Sequence, residues 1–337
     1  MSHLPGGVRA CVATTAIASL ALLAACSDSK SSAGGSTVSP SGSTAAKANV
    51  CQAQKGDSLV VLADDKKSQA SDNLVPVVNT KVAKSPLTDA LNAVSKVLDQ
   101  DTLTGLNKQT SANQKPADVA SAFVSDKKLG DGLSGGSGSI VVGTQDFPEA
   151  ATLGNVYKDV LNKAGYSASV KTIGSRDLLE PALEKNEIQV VPEYAASLTS
   201  FLAKKQGATD GASSDITKTI AALKPLADKA GLTVLDYAAA TDQNAFAVTK
   251  ATADKYQLTS MSDVATKCGT TGITFGAGAN CPQNPYCADA IKKAYGITID
   301  FKALDYDGAL TRNALKQGRI LIGEVFSSDS DLVRAGT

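Results

Sequence analysis

Apolar and polar positions fall into two regimes along this chain. In the earlier part, residues 58–62 (SLVVL) form an apolar run bounded by Gly56 and by Asp64-Asp65-Lys66-Lys67, and residues 74–78 form a second. Both have the length and flanks of buried strands. Ser85-Pro86 then opens a helix whose Ala90, Leu91, Val94, Val97 and Leu98 share one face, and residues 116–123 predict another short helix. Residues 130–139 (GDGLSGGSGS) break the pattern and have the composition of a linker between two blocks.

After that stretch, strand and helix patterns alternate, the mark of an α/β architecture. Strands are predicted at 140–142, 167–173 and 188–191. Asp146-Phe147-Pro148-Glu149 reads as a helix start, and the helix after it carries Leu153, Val156, Tyr157, Val160 and Leu161 on one face up to Gly165. Helices at 177–185 and 215–230 follow, and later strands are predicted at 245–248, 273–275, 299–304 and 320–326. The pattern implies two α/β lobes with strand-end loops facing a cleft.

The N-terminus has the layout of an export signal. Arg9 precedes an apolar stretch from 10 to 25 that closes on Leu23-Ala24-Ala25-Cys26, a bacterial lipobox. Residues 1–25 are therefore expected to be removed, with Cys26 lipidated and residues 26–50 serving as anchor and flexible linker outside the cell membrane. No other segment is apolar for long enough to span a bilayer. Cys51, Cys268, Cys281 and Cys287 then remain, an even number that suits two disulfides, with three pairings open.

Composition narrows the chemistry. The only histidine, His3, falls in the removed segment, so His-dependent triads and His-ligated zinc are excluded from the mature chain. No catalytic role, cofactor or metal is implied. Lys+Arg and Asp+Glu number 33 each, which gives no net field for nucleic acid. Only 15 rings occur, 8 Tyr and 7 Phe, and before residue 147 the only one is Phe123.

Several runs carry a family resemblance: the opening at 142–149, Gly174-Ser175-Arg176, Pro181-Ala182-Leu183, Pro192-Glu193-Tyr194, Ala245-Phe246-Ala247-Val248, Lys292-Lys293-Ala294-Tyr295-Gly296 and Phe326-Ser327-Ser328-Asp329. In this order they resemble the glycine betaine/choline/carnitine-type (osmoprotectant) substrate-binding lipoproteins of ABC importers. Residues 59–67 and 73–78, with Gly105-Leu106-Asn107 and 117–123, resemble that family's C-terminal portion, here standing first. The resemblance implies a two-lobe, type II periplasmic-binding-protein-like α/β fold, circularly permuted. As drawn from the sequence, lobe one covers 51–240 (51–129 transposed, 130–139 linker, 140–240 the family's N-terminal segment). Lobe two, with a C-terminal hinge strand, covers 241–337. Residues 58–62 would join the sheet of 140–142 and 188–191, one hinge crossing would be cut open, and a Cys51 bridge could tether the lobes.

The same resemblance implies an importer receptor that hands a small polar, zwitterionic or cationic solute to permease and ATPase subunits. A sensor lipoprotein, or a receptor for an amino-acid-like solute, is the alternative. Carried over residue by residue, Tyr194 and Phe326 match cage rings and Ser197 a nearby hydroxyl, while Asp242 also belongs to the expected ligand-binding set. Asp72 and Asn244 stand where the family often has Tyr, Gln145 where Lys is common, and Asn284 where Arg precedes Pro. These departures imply a cleft with fewer rings and cations and with more amides and negative charge.

Overall fold

The computed structural model describes residues 51–305 and 308–334. The expected signal segment, Cys26 and the leash to residue 50 lie outside the described residues. In chain order the elements are β1 (Leu59–Leu62), β2 (Leu74–Asn79), α1 (Leu87–Val97), α2 (Gln100–Ser111), α3 (Pro116–Asp126), β3 (Ser139–Gln145), α4 (Pro148–Lys163) and β4 (Ser167–Gly174). Then come α5 (Arg176–Glu184), β5 (Val190–Tyr194), α6 (Ala195–Gln206), α7 (Ile216–Lys229), β6 (Leu232–Val234), β7 (Asn244–Thr249), α8 (Lys250–Tyr256) and α9 (Met261–Asp263). The last are β8 (Ile273–Gly278), α10 (Ala288–Tyr295), β9 (Ile299–Leu304), α11 (Ala309–Lys316), β10 (Ile322–Phe326) and β11 (Leu332–Arg334).

Two sheets organise these elements. A five-stranded sheet has the order β4-β3-β5-β2-β6 and a six-stranded sheet the order β11-β1-β7-β10-β8-β9. The period of two in β2 explains how the first sheet is covered on both faces. Leu74 and Val78 pack with α1 to α4, whereas Val75 and Val77 pack with α5, α6 and α7. All six β2 residues are buried, and each fully buried Val or Leu contributes about 1.5–3 kcal/mol. In the second sheet Val60, Leu62, Phe246 and Val248 face a core that includes Ile291 and Tyr295 of α10, and Leu59 and Ala247 face Leu315 of α11.

The placement of β1 corrects the lobe boundaries read from sequence. β1 pairs antiparallel with β7 and parallel with β11, so residues 51–62 belong with the second sheet and only β2 joins β5 in the first. The rearrangement in the form drawn from sequence, with its cut at a hinge crossing, is therefore overturned. Two segments pass between the sheets, 63–73 and 235–243, and both are continuous. β11 is an edge strand of the second sheet and not a hinge strand. The physical reason is pairing: a short apolar run fits either sheet, and only the partner strands choose between them.

The two crossings are fastened to each other. Asn73 and Thr241 form a bridge, and the Asp242 amide donates to the Asp72 carbonyl at 3.1 Å. Gln100 of α2 accepts from the Thr241 amide at 2.9 Å and donates to the carbonyls of Thr241 and Ser327 at 3.0 Å. Residues 130–139 also differ from a free linker. The Gly136 amide donates to the Ala164 carbonyl, and a Cβ at Gly136 would stand 2.6 Å from that oxygen and from the Tyr166 ring. Two disulfides, Cys51–Cys268 and Cys281–Cys287, both lie in the second lobe's core, so the Cys51 bridge is no tether between lobes.

Glu324 of β10 sits directly opposite Phe246 and has one buried oxygen without a hydrogen-bond partner. Burial raises its carboxyl from 4.5 to about 7. The unfolded chain loses this proton near 4.5 and the folded one keeps it to about 7, so stability falls as pH rises through that window. The loss is at most about 3 kcal/mol. Denaturant melts of Glu324→Gln should therefore match wild type near pH 4 and exceed it by up to that amount at pH 8, and equal stability at both pH values would refute the assignment.

Candidate functional site

A cavity of about 370 Å³ opens where strand ends of both lobes meet the crossings. Its position follows from the topology. β3 and β5 end at Gln145 and Tyr194, the crossings bring Asp72 and Asp242, and the second lobe supplies Asn244 at the start of β7, Phe326 at the end of β10, and Asn284. All eight residues singled out from sequence (Asp72, Gln145, Tyr194, Ser197, Asp242, Asn244, Asn284 and Phe326) line this one cavity.

Sequence reasoning missed three functional-looking side chains in the wall: Phe147, Arg176 and Tyr286. Phe147 and Arg176 stood inside runs that carried the family likeness, at helix N-termini where a strand hands over to a helix. Tyr286 sat in the short span between two cysteines. With Tyr194 and Phe326, the rings of Phe147 and Tyr286 bring those at the described wall to four, while Asp72 and Asn244 line it without rings. Phe147 and Tyr194 are in contact, with centroids 6.2 Å apart and planes tilted by 35°. Residues 51–129 contribute Gln69, Ala70 and Asp72 to the described wall and no ring.

Charge at the site is unbalanced. Arg176 is bound to Glu193 through Nε at 3.1 and 3.2 Å and Nη2 at 2.9 Å, a bidentate fork that commits its guanidinium. Burial opposes the Arg176 charge, but Glu193 and Asp72 outweigh it and hold the group protonated. Asp72 accepts from the Ser197 amide at 3.0 Å and the Ser197 hydroxyl at 2.5 Å. It thereby caps the third residue of α6 from another element, because the N-cap residue Tyr194 makes no side-chain bond to the helix N-terminus. Burial still raises the Asp72 carboxyl, against the lowering effect of Ser197.

Asp242 is the least compensated group. It accepts from the Ser328 hydroxyl at 2.6 Å. Burial first, then the negative charges of Glu149, Asp72 and Asp329, push its carboxyl well above the usual range. Glu149, on the first turn of α4, does not cap that helix. It turns inward, where the Tyr194 hydroxyl donates to it at 2.6 Å and the Asn107 amide at 2.5 Å. Asn107 also donates to the Ser328 carbonyl at 3.1 Å, so a cavity ring, a buried acid and the second crossing are linked in one network.

Two α/β lobes joined by two crossing segments around an interlobe cavity of this kind define a two-lobe solute-binding protein. The chain matches the substrate binding domain of the ABC-type glycine betaine transport system over residues 14–126 and 138–335, and it belongs to that family. Members of this family bind small solutes outside the cytoplasm and work with permease and ATPase subunits. Among solved structures, a glycine betaine/carnitine/choline ABC transporter is 16% identical, with a TM-score of 0.42 over 56% of this chain and 68% of that one. A substrate binding protein from Microbacterium hydrocarbonoxydans, complexed with 4-hydroxybenzoate hydrazide, is 12% identical with a TM-score of 0.25, covering 55% of this chain and 46% of that one. A comparison with curated proteins gives no match.

The electrostatics predict a trade between stability and charge. The unfolded chain ionises Asp242 near its ordinary value of 3.8 and the folded one only at higher pH, so this group's ionisation costs stability above that value. Asp242→Asn, which can still accept from Ser328, should melt with wild type at pH 3 and above it at pH 7. A lower melting temperature at pH 7 would show that the carboxylate is compensated.

Proposed function

We propose that the protein is the extracytoplasmic solute receptor of an ABC importer. It closes two lobes on a small polar solute, zwitterionic or cationic and of the glycine betaine-like osmolyte class, and delivers it to the permease. A lipid on Cys26 holds it to the membrane. The observation that carries the choice of ligand is the cavity wall itself, which among the described residues has carboxyls at Asp72 and Asp242, four rings, and a single guanidinium already committed to Glu193. Ring faces attract a positive charge, a cation beside the raised carboxyls of Asp72 and Asp242 favours their ionised forms, and among the described residues the wall offers no uncommitted cation to clamp a solute carboxylate. A cation is favoured over a zwitterion for that reason.

Titration calorimetry with choline, glycine betaine, carnitine and amino acids tests this reading. Choline should bind more tightly than glycine betaine, and Asp242→Asn should weaken choline by roughly tenfold or more, the usual worth of a charged partner. Tight glycine betaine binding that ignores Asp242→Asn would sink the cationic assignment.

A rearranged gene order, with the cut inside the second lobe, is the form of the permutation proposed in place of the one overturned above. It is supported by the parallel pairing of Leu59 with Leu332, which sets the first and last described strands side by side at one end of the second sheet. A chain opened between 130 and 138, with residues 51–129 placed after 337, should keep the wild-type circular dichroism and melt cooperatively. Loss of cooperative melting would count against it.

A further inference from the structure

The Cys281–Cys287 span closes six residues apart in sequence and carries three cavity residues, Asn284, Pro285 and Tyr286. Both cysteines are fully buried, so the ends of the loop are held in the second lobe's core while its crest faces the cavity. Inside the loop the bonds are local. The Asn284 amide donates to the carbonyls of Asn280 and Cys281 at 2.9 and 3.2 Å, and the Cys287 amide to the Asn284 carbonyl at 3.1 Å. The Asn284 side chain also has a fixed duty: its Oδ1 accepts from the Tyr286 amide at 2.9 Å.

That bond decides what Asn284 can offer a solute. A carboxamide has one acceptor oxygen and one donor nitrogen. With Oδ1 engaged by the Tyr286 amide, the two Nδ2 donors are the part of this cavity-lining side chain that makes no bond within the described fold. An uncharged donor is matched by an acceptor oxygen on the ligand and gains nothing from an apolar or cationic end. The carboxylates Asp72 and Asp242 belong to other elements of the wall, the crossings, so the cavity has an acidic part and a separate neutral-donor part.

We infer that the disulfide-closed loop is a preformed specificity element, in which Asn284 Nδ2 recognises an acceptor oxygen of the solute and the Cys281–Cys287 bond holds that donor in place. The inference rests on the cationic reading above and narrows it to organic cations that also carry a hydroxyl or carbonyl oxygen. Fixing the loop before the solute arrives removes an ordering cost from binding, which a loop open at one end would have to bear each time.

The probes are choline and ethyltrimethylammonium, equal in charge and cationic head but differing in the hydroxyl. Wild type should prefer choline roughly tenfold, the worth of one hydrogen bond. Asn284→Ala should bring the two within about threefold by weakening choline alone, and the paired variant Cys281→Ser/Cys287→Ser should weaken choline more than its analogue. An unchanged preference in Asn284→Ala overturns the recognition. Binding of neither cation by wild type overturns the cationic reading and the oxygen recognition with it. Amide exchange in the ligand-free protein tests the clamp separately. Tyr286 N–H should be protected in wild type and lose protection in the paired cysteine variant, while Cys51→Ser/Cys268→Ser leaves it protected. An unprotected Tyr286 amide in wild type overturns the preformed loop whatever the calorimetry gives.

Discussion

The fork between Arg176 and Glu193 governs the chemistry of the cleft. By occupying the guanidinium that lines the wall among the described residues, it leaves the carboxyls of Asp72 and Asp242 without a bonded cation. Glu193 in turn accepts from the Tyr194 amide at 3.1 Å, so the same acid that takes up the positive charge also helps to set the backbone under a cavity ring. Asp72 then does two jobs. It supplies the missing cap of α6 and places a carboxyl at the wall, and the Ser197 bonds that make the first possible also oppose the rise that burial imposes on that carboxyl.

Much of the site was legible in the sequence because strand ends are marked by pattern. Tyr194 follows an apolar run, Phe326 ends another, and Asn244 opens a third, so each could be assigned to a cleft before any geometry was known. What stayed hidden depended on partners distant in the chain. Nothing in residues 58–62 says that their neighbours are β7 and β11 instead of β3, since an apolar run reads alike on either sheet. The helix α2 escaped notice for a different reason: it buries only Leu103 and Leu106, and its start depends on Asp99 accepting from the Thr102 amide. The Asp146–Glu149 spacing reads as a helix start, yet the hydroxyl of Tyr194 and the amide of Asn107 hold Glu149 inward. Tyr286 could have been found by asking what a five-residue span between cysteines presents to solvent.

The hinge is built from side chains that satisfy backbone groups of both crossings. Gln100 meets the amide and carbonyl of Thr241 and the carbonyl of Ser327, which ties the first lobe's α2 to the end of β10. Asn73 donates to the Ala238 carbonyl at 2.8 Å on the other side of the same junction. Such bonds keep buried peptide groups paired, and they restrict relative motion of the lobes to the few residues between them.

Cys51 opens the described chain and is joined to Cys268 beneath the second sheet. Any load arriving along the polypeptide from its N-terminal side therefore reaches a covalent bond before it reaches the hydrogen bonds of β1. The lobe that receives this load holds β7 to β11, whereas the lobe of β2 to β6 connects to it only through the crossings. A tether attached upstream would thus pull on one jaw of the cleft and leave the other free to swing, so that restraint at the anchor and closure around a solute need not compete.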